Sequence, residues 1–206
     1  MPQVHSLFAS PVISQIVEDL DTEQIKKDKI RFKETKHRGY HPDIAEISRD
    51  IRILDNYPEL EKGLLKKWED AAYHIFNYRN DFKITTSWVT RTTKGCQSTI
   101  HLHKNSFYSG LLYYGKYNDK CGGIQFISPI HQYSDFYLIP QPPNLLSSDT
   151  HSFSPESNLL LFFPSYLKHR IMYHEDNSPR YSLAFNIAPT GLYGHSDSEY
   201  NTSWFG

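Results

Sequence analysis

Two cysteines in 206 residues exclude a disulfide framework. Cys96 and Cys121 lie in turn-like stretches, Lys94-Gly95-Cys96 and Lys120-Cys121-Gly122-Gly123, with no CxxC pair. They are expected as free thiols in a reducing compartment, the cytoplasm. Long apolar runs are missing too: nowhere do about 18 apolar residues follow one another, so no membrane span is expected. The opening Met1-Pro2-Gln3-Val4-His5 has no basic stretch, and Ser10, Pro11 and Ser14 interrupt the apolar residues behind it. No export signal is expected. Asn201-Thr202-Ser203 fits a glycosylation sequon, a chance match without secretion. Excess charge is lacking as well. With 22 Lys and Arg against 23 Asp and Glu, no net field draws the chain to a phosphate backbone or an anionic membrane. Long nucleic acid and membranes are therefore not expected as partners, and nothing in the sequence bears on oligomeric state.

What the chain does have is aromatic residues, 15% of the total with 15 Tyr, which suits a β-rich protein whose pocket walls carry polar-tipped rings. Its length suits one domain over 1–206 with a sizeable core. About residues 1–80 read as helical support. Leu60, Leu64, Trp68, Ala72 and Phe76 recur every four residues behind Pro58, with Leu65 and Ile75 beside them, and predict a strong amphipathic helix. Weaker helices are expected at 22–35, after the Asp21-Thr22 cap signal, and at 43–53.

From Ile84 the pattern changes to short β-rich runs at 84–91, 97–103, 107–114, 123–128, 135–139, 158–163, 169–174 and 180–187. Eight short strands predict a jelly roll over 84–188. The Pro- and Ser-rich stretch 140–155 reads as a long loop over the barrel mouth, and 189–206 as an irregular tail.

His101-Leu102-His103 stands 68 positions ahead of His169. On an extended strand residues two apart share a face, so His101 and His103 can aim at one metal. His169 follows the apolar run Leu159–Phe163 and the breaker Pro164, where a buried strand has just ended and faces the opening. Three ligands on one side of a six-coordinate Fe(II) leave the remaining positions for a co-substrate and dioxygen. Beyond them, Arg180 and Ser182 share one strand face ahead of the apolar Leu183-Ala184-Phe185-Asn186-Ile187. A buried arginine needs an anion. Its planar fork can hold a carboxylate by two parallel hydrogen bonds, and the Ser182 hydroxyl can add a third.

The run His101-Leu102-His103-Lys104-Asn105-Ser106-Phe107-Tyr108-Ser109-Gly110-Leu111-Leu112-Tyr113-Tyr114 resembles the signature of the 2-oxoglutarate/Fe(II) oxygenases of bacteria and tailed phages, especially phages of marine cyanobacteria. Phe163–His169 and Arg180–Asn186 are similar to that family's two later blocks, and Leu7–Val12 and Gly122–Phe126 also fit. The resemblance implies a mainly β fold, a cupin-like double-stranded β-helix, with Fe(II) on His101, His103 and His169 and 2-oxoglutarate on Arg180 and Ser182. It further implies a dioxygenase that spends dioxygen to hydroxylate or otherwise oxidise an organic substrate the sequence does not identify.

The wider superfamily usually has a carboxylate where His103 stands. Three histidines also suit a 2-oxoglutarate-independent cupin dioxygenase, or a zinc site that activates water. The Arg-x-Ser pair argues against both, and a jelly-roll binding module without turnover is the alternative from another class. Asp119 or Asp135 would be an alternative ligand, without strand spacing to His101. Asn105 and Ser109 either orient ligands and line the pocket or form a turn. Tyr113 and Tyr114 point to opposite faces, and Tyr113 is read as a 2-oxoglutarate contact with core packing as the equal rival. Trp88 floors the substrate pocket or sits in the core, and His131, His151 and His174 are read as surface or supporting residues.

Overall fold

The structure, a computed structural model, describes residues 9–34, 45–130, 139, 141–142 and 144–205. In chain order these form β1 (Ile13–Ile16), α1 (Glu23–Lys27), β2 (Phe32–Glu34), β3 (Glu46–Ser48), a 3-10 turn (Ile53–Asn56), α2 (Pro58–Phe76) and β4 (Asp81–Thr92). There follow β5 (Tyr108–Leu112), β6 (Ile124–Ile127), β7 (Thr150–Phe153), β8 (Leu159–Pro164), β9 (His169–Ile171), β10 (Arg180–Thr190), β11 (Leu192–Tyr193) and β12 (Tyr200–Asn201).

A seven-stranded sheet runs β1-β8-β5-β10-β4-β3-β2 and a three-stranded sheet runs β7-β6-β9. The ladders within both are antiparallel. This is the mainly β jelly roll that the short runs predict, and strand alternation divides its interior in two. On one face of the larger sheet Tyr108, Leu112, Leu160, Phe162, Leu183, Phe185 and Ile187 pack against Leu60, Leu64, Trp68 and Ala72 of α2. On the other face Leu111, Leu161 and Phe163 meet Ile124 and Phe126 of the smaller sheet. Trp68, fully buried, anchors the helix, its ring centroid 4.4 Å from Tyr108 and 5.4 Å from Phe82. The helix begins at Pro58, whose missing N–H costs nothing there, and stops at Asn77 in the left-handed region (φ 58°).

The N-terminal part departs from the expected helical layer. The expected helix at 22–35 shrinks to the five residues of α1, and that at 43–53 is replaced by β3 and the 3-10 turn. Weak helical periodicity loses here to sheet completion: β2 pairs with β3 and β3 with β4, satisfying backbone groups that β4 would otherwise expose.

Three further differences lie in the β region. The stretch 97–103 forms no ladder beyond a single antiparallel bridge, His101 to His169. Thr150–Phe153, expected inside a loop, is β7, and the tail contains the β11–β12 hairpin and 3-10 turns. Residues 135–138 of the expected strand 135–139, together with His131 and Asp135, lie outside the described residues. Among the described residues no helix is long and apolar enough to cross a membrane.

Candidate functional site

The rims of the two sheets bring three histidines together. His169 opens β9 directly after β8 and the turn at Ser165–Leu167, and His101 bridges to it by paired backbone hydrogen bonds of 2.9 Å each. His103 is fixed two residues on, where its N–H donates to the Ser165 carbonyl at 2.9 Å. Ring centroids are 4.4 Å apart for His101 and His169, 5.1 Å for His103 and His169, and 5.4 Å for His101 and His103. One ligand nitrogen from each ring lies within 4.8 Å of the other two. The expected clustering holds, although the segment carrying His101 and His103 is an extended strap and not a regular strand.

Each ring is oriented through Nδ1. His101 Nδ1 lies 2.9 Å from the Thr99 carbonyl, His169 Nδ1 2.9 Å from the Leu167 carbonyl, and His103 Nδ1 2.6 Å from Asn186 Oδ1. A carbonyl oxygen can only accept, so the proton sits on Nδ1 and Nε2 is the nitrogen suited to a metal. Burial pushes His103 down to about 4 and His169 down to about 3, with the His101 ring adding to both effects. The Asn186 bond opposes the fall at His103, and the Leu167 carbonyl opposes it at His169. Both rings are neutral at pH 7, which keeps their lone pairs available. Three converging imidazoles, each held from behind, fit a divalent iron.

Arg180 is 1% exposed at the start of β10. Its Nη2 donates to Thr92 Oγ1 at 2.8 Å and its Nη1 to the Gly122 carbonyl at 3.0 Å and to the Tyr113 hydroxyl at 3.4 Å. Gly122 is required there, because a Cβ would fall 2.2 Å from the Met172 carbonyl oxygen. Arg180 Nε and the neighbouring Ser182 Oγ have no hydrogen-bond partner, and no carboxylate among the described residues pairs with the guanidinium. A buried cation with an unused donor, beside an unused hydroxyl, fits an organic carboxylate.

A cavity of about 490 Å³ opens beside the histidines, bounded also by Ser182, Asn186, Trp88, Ile47, Leu111 and Phe163, with Lys33 and Lys104 in its wall. Trp88 is half-buried there with its ring 5.4 Å from that of His103, so it walls the cavity. Arg180 and Tyr113 do not border the cavity. Tyr113 is fully buried in the core between the sheets, and burial raises its hydroxyl pKa.

Asn105 is not brought to the site: it is exposed in a left-handed turn (φ 59°), the turn alternative of the sequence reading. Ser109 is buried and bonds His103 Nδ1 at 3.3 Å and Asn186 Oδ1 at 2.9 Å. Asp119 is exposed and outside the cluster. His151 is exposed on β7. His174, expected at the surface or in support, is fully buried apart from the cluster, its Nε2 donating to the Ser178 carbonyl at 2.9 Å. Sequence reasoning missed Asn186, Thr92 and Thr86. The signal for Asn186 was available, since it shares the strand face of Arg180 and Ser182 by alternation.

Residues 86–186 match a family model described as "Putative 2OG-Fe(II) oxygenase". No protein of curated function matches the chain. The fold is similar to that of a 2OG-Fe(II) oxygenase family oxidoreductase from Burkholderia pseudomallei (TM-score 0.56, 15% identity, 85% of each chain covered). It is also similar to the non-heme alpha ketoglutarate dependent epimerase SnoN from nogalamycin biosynthesis (TM-score 0.62, 8% identity, 90% of this chain and 82% of that one). HygX from Streptomyces hygroscopicus, solved with nickel, 2-oxoglutarate and hygromycin B, gives a TM-score of 0.57 at 12% identity over 96% of this chain and 90% of that one. The chain thus shares the fold of these proteins.

Proposed function

We infer that this protein is an Fe(II)- and 2-oxoglutarate-dependent oxygenase in which His101, His103 and His169 hold the iron and Arg180 and Ser182 anchor 2-oxoglutarate. One observation carries the reading: three rings whose Nδ1 atoms are all engaged converge at a cavity that Ser182 also lines, and Ser182 Oγ and the Nε of the buried Arg180, two residues before it on the same strand face, lack hydrogen-bond partners. When bound, the iron and 2-oxoglutarate consume dioxygen, release succinate and carbon dioxide, and oxidise an organic substrate.

The chain's own residues supply position and shielding. Thr99, Leu167 and Asn186 fix the rings through Nδ1, so little reorganisation accompanies metal binding. The unpartnered Nε of the Arg180 guanidinium would donate to the distal carboxylate, and the Ser182 hydroxyl, on the same strand face, would add a second hydrogen bond. Trp88, Ile47 and Phe163 keep water from the reacting centre. The cavity volume of about 490 Å³ supports a small organic substrate. Among the described residues its wall carries two lysines and no carboxylate, which supports anionic groups on the molecules it takes in. Two unpaired cysteines and the resemblance to oxygenases of bacteria and tailed phages support a place in a bacterial or phage-infected cytoplasm.

Anaerobic titration tests the reading. Fe(II) followed by 2-oxoglutarate is expected to produce the visible charge-transfer band of a chelated complex. Iron binding without that band, and without 2-oxoglutarate turnover in air, would instead identify a three-histidine dioxygenase or a module without turnover.

A further inference from the structure

We propose that Asn186 is a positioning residue that makes position 103 a seat for imidazole. The inference rests on the reading of His103 as an iron ligand. Asn186 lies on β10 directly opposite Thr86 of β4 on one side and Ser109 of β5 on the other. Both cross-strand partners hold its side chain: Nδ2 donates to Thr86 Oγ1 at 2.9 Å, and Ser109 Oγ donates to Oδ1 at 2.9 Å. The ladder shifts register immediately after Asn186, a bulge of the kind that re-aims a side chain. What the clamp presents to His103 is Oδ1, 2.6 Å from Nδ1.

The clamp is backed by further buried hydroxyls. Ser165 Oγ lies 2.9 Å from both Ser109 Oγ and Ser106 Oγ and can give its one proton to either, while the Ser109 proton goes to Asn186. Ser109 and Ser165 are both fully buried, so water does not compete for these bonds. Turning the amide over would put Nδ2 against Nδ1–H and against the Ser109 hydroxyl that donates to Oδ1, two donors where an acceptor now stands. An acceptor facing position 103 favours a side chain that donates backward and binds metal forward. Imidazole does both, with the proton on Nδ1 and the lone pair on Nε2. A carboxylate has no proton to donate and would place oxygen against oxygen. The histidine found where the superfamily usually has a carboxylate is thereby matched by its neighbours, and Asn186 sets the match.

Three variants test this: Asn186→Leu, which removes the acceptor at similar volume, Asn186→Asp, which keeps it, and Thr86→Val, which removes the partner of Nδ2 and loosens the amide. Nitrogen-15 NMR of the metal-free full-length chain reads the His103 tautomer, and anaerobic titration reads Fe(II) affinity. In the parent and in Asn186→Asp the ring is expected with its proton on Nδ1. In Asn186→Leu that preference should be lost and Fe(II) affinity should fall by about 10- to 100-fold, with the parent's circular dichroism retained. Thr86→Val is expected to shift both readouts the same way by less, and it decides the matter if Asn186→Leu does not fold. An unchanged tautomer and affinity in Asn186→Leu, or in Thr86→Val where that variant decides, overturns the proposal, as does an equal loss in Asn186→Leu and Asn186→Asp. Should the parent bind no Fe(II), the reading of His103 as a ligand fails while the tautomer still shows whether Asn186 positions the ring.

Discussion

His101 and His169 hold each other by their backbones: each donates its N–H to the other's carbonyl at 2.9 Å, across 68 positions of sequence. Their rings stand 4.4 Å apart as a result. The bridge uses no side-chain atom, so ring removal and fold can be separated experimentally. His101→Ala and His169→Ala are each expected to lose iron by metal analysis while keeping the parent's circular dichroism. Full iron occupancy in His169→Ala would remove that residue from the site.

Arg180 separates the proposed chemistry from its nearest rival. Arg180→Leu removes the charge-assisted partner of a buried carboxylate, costing on the order of 3–5 kcal/mol of 2-oxoglutarate binding. Affinity measured by titration should fall by about two to three orders of magnitude. Iron binding should survive, because Arg180 bonds none of the three rings and does not border their cavity. Equal 2-oxoglutarate affinity in both proteins would favour a three-histidine enzyme that needs no co-substrate.

The metal-free protein should lose stability as the solution is acidified. Burial holds His103 down to about 4 and His169 down to about 3, against an ordinary value of 6.5. Between those limits the unfolded chain binds protons that the folded chain refuses, so stability is full above about 6.5 and drains as pH falls toward 4 and then 3. Denaturant titrations at pH 7 and pH 5 should show the fall, and His103→Gln/His169→Gln should flatten it. Parallel pH dependences in the two proteins would mean that other groups govern acid stability.

Gly110 is fixed by packing. It lies opposite Phe185 in the ladder, and a Cβ there would fall 2.1 Å from the Phe185 ring, which is fully buried and has no room to retreat. Gly110→Ala should cost about 1–3 kcal/mol in denaturant unfolding. Unchanged stability would show that Phe185 repacks freely.

The amino-acid sequence alone determined the elements whose pattern is strong and local. The repeat from Leu60 to Phe76 gave α2 within its observed bounds, because a stripe at four-residue spacing buries only as a helix. The apolar run 159–163 gave the buried strand β8, and the short β-rich run 180–187 gave β10 and with it the shared face of Arg180 and Ser182. His101, His103 and His169 stood out by residue type and spacing, and they meet.

Tertiary structure alone decided the rest. β2 and β3 are strands because β4 offers an edge to pair with, and no residue in 32–34 or 46–48 announces that edge. Asn105 and Asn186 are the same amino acid near the same family blocks, yet one ends in an exposed left-handed turn and the other is clamped between Thr86 and Ser109. Which asparagine serves the site depends on strand register, and register is set by pairing between segments about a hundred positions apart, beyond the reach of local pattern.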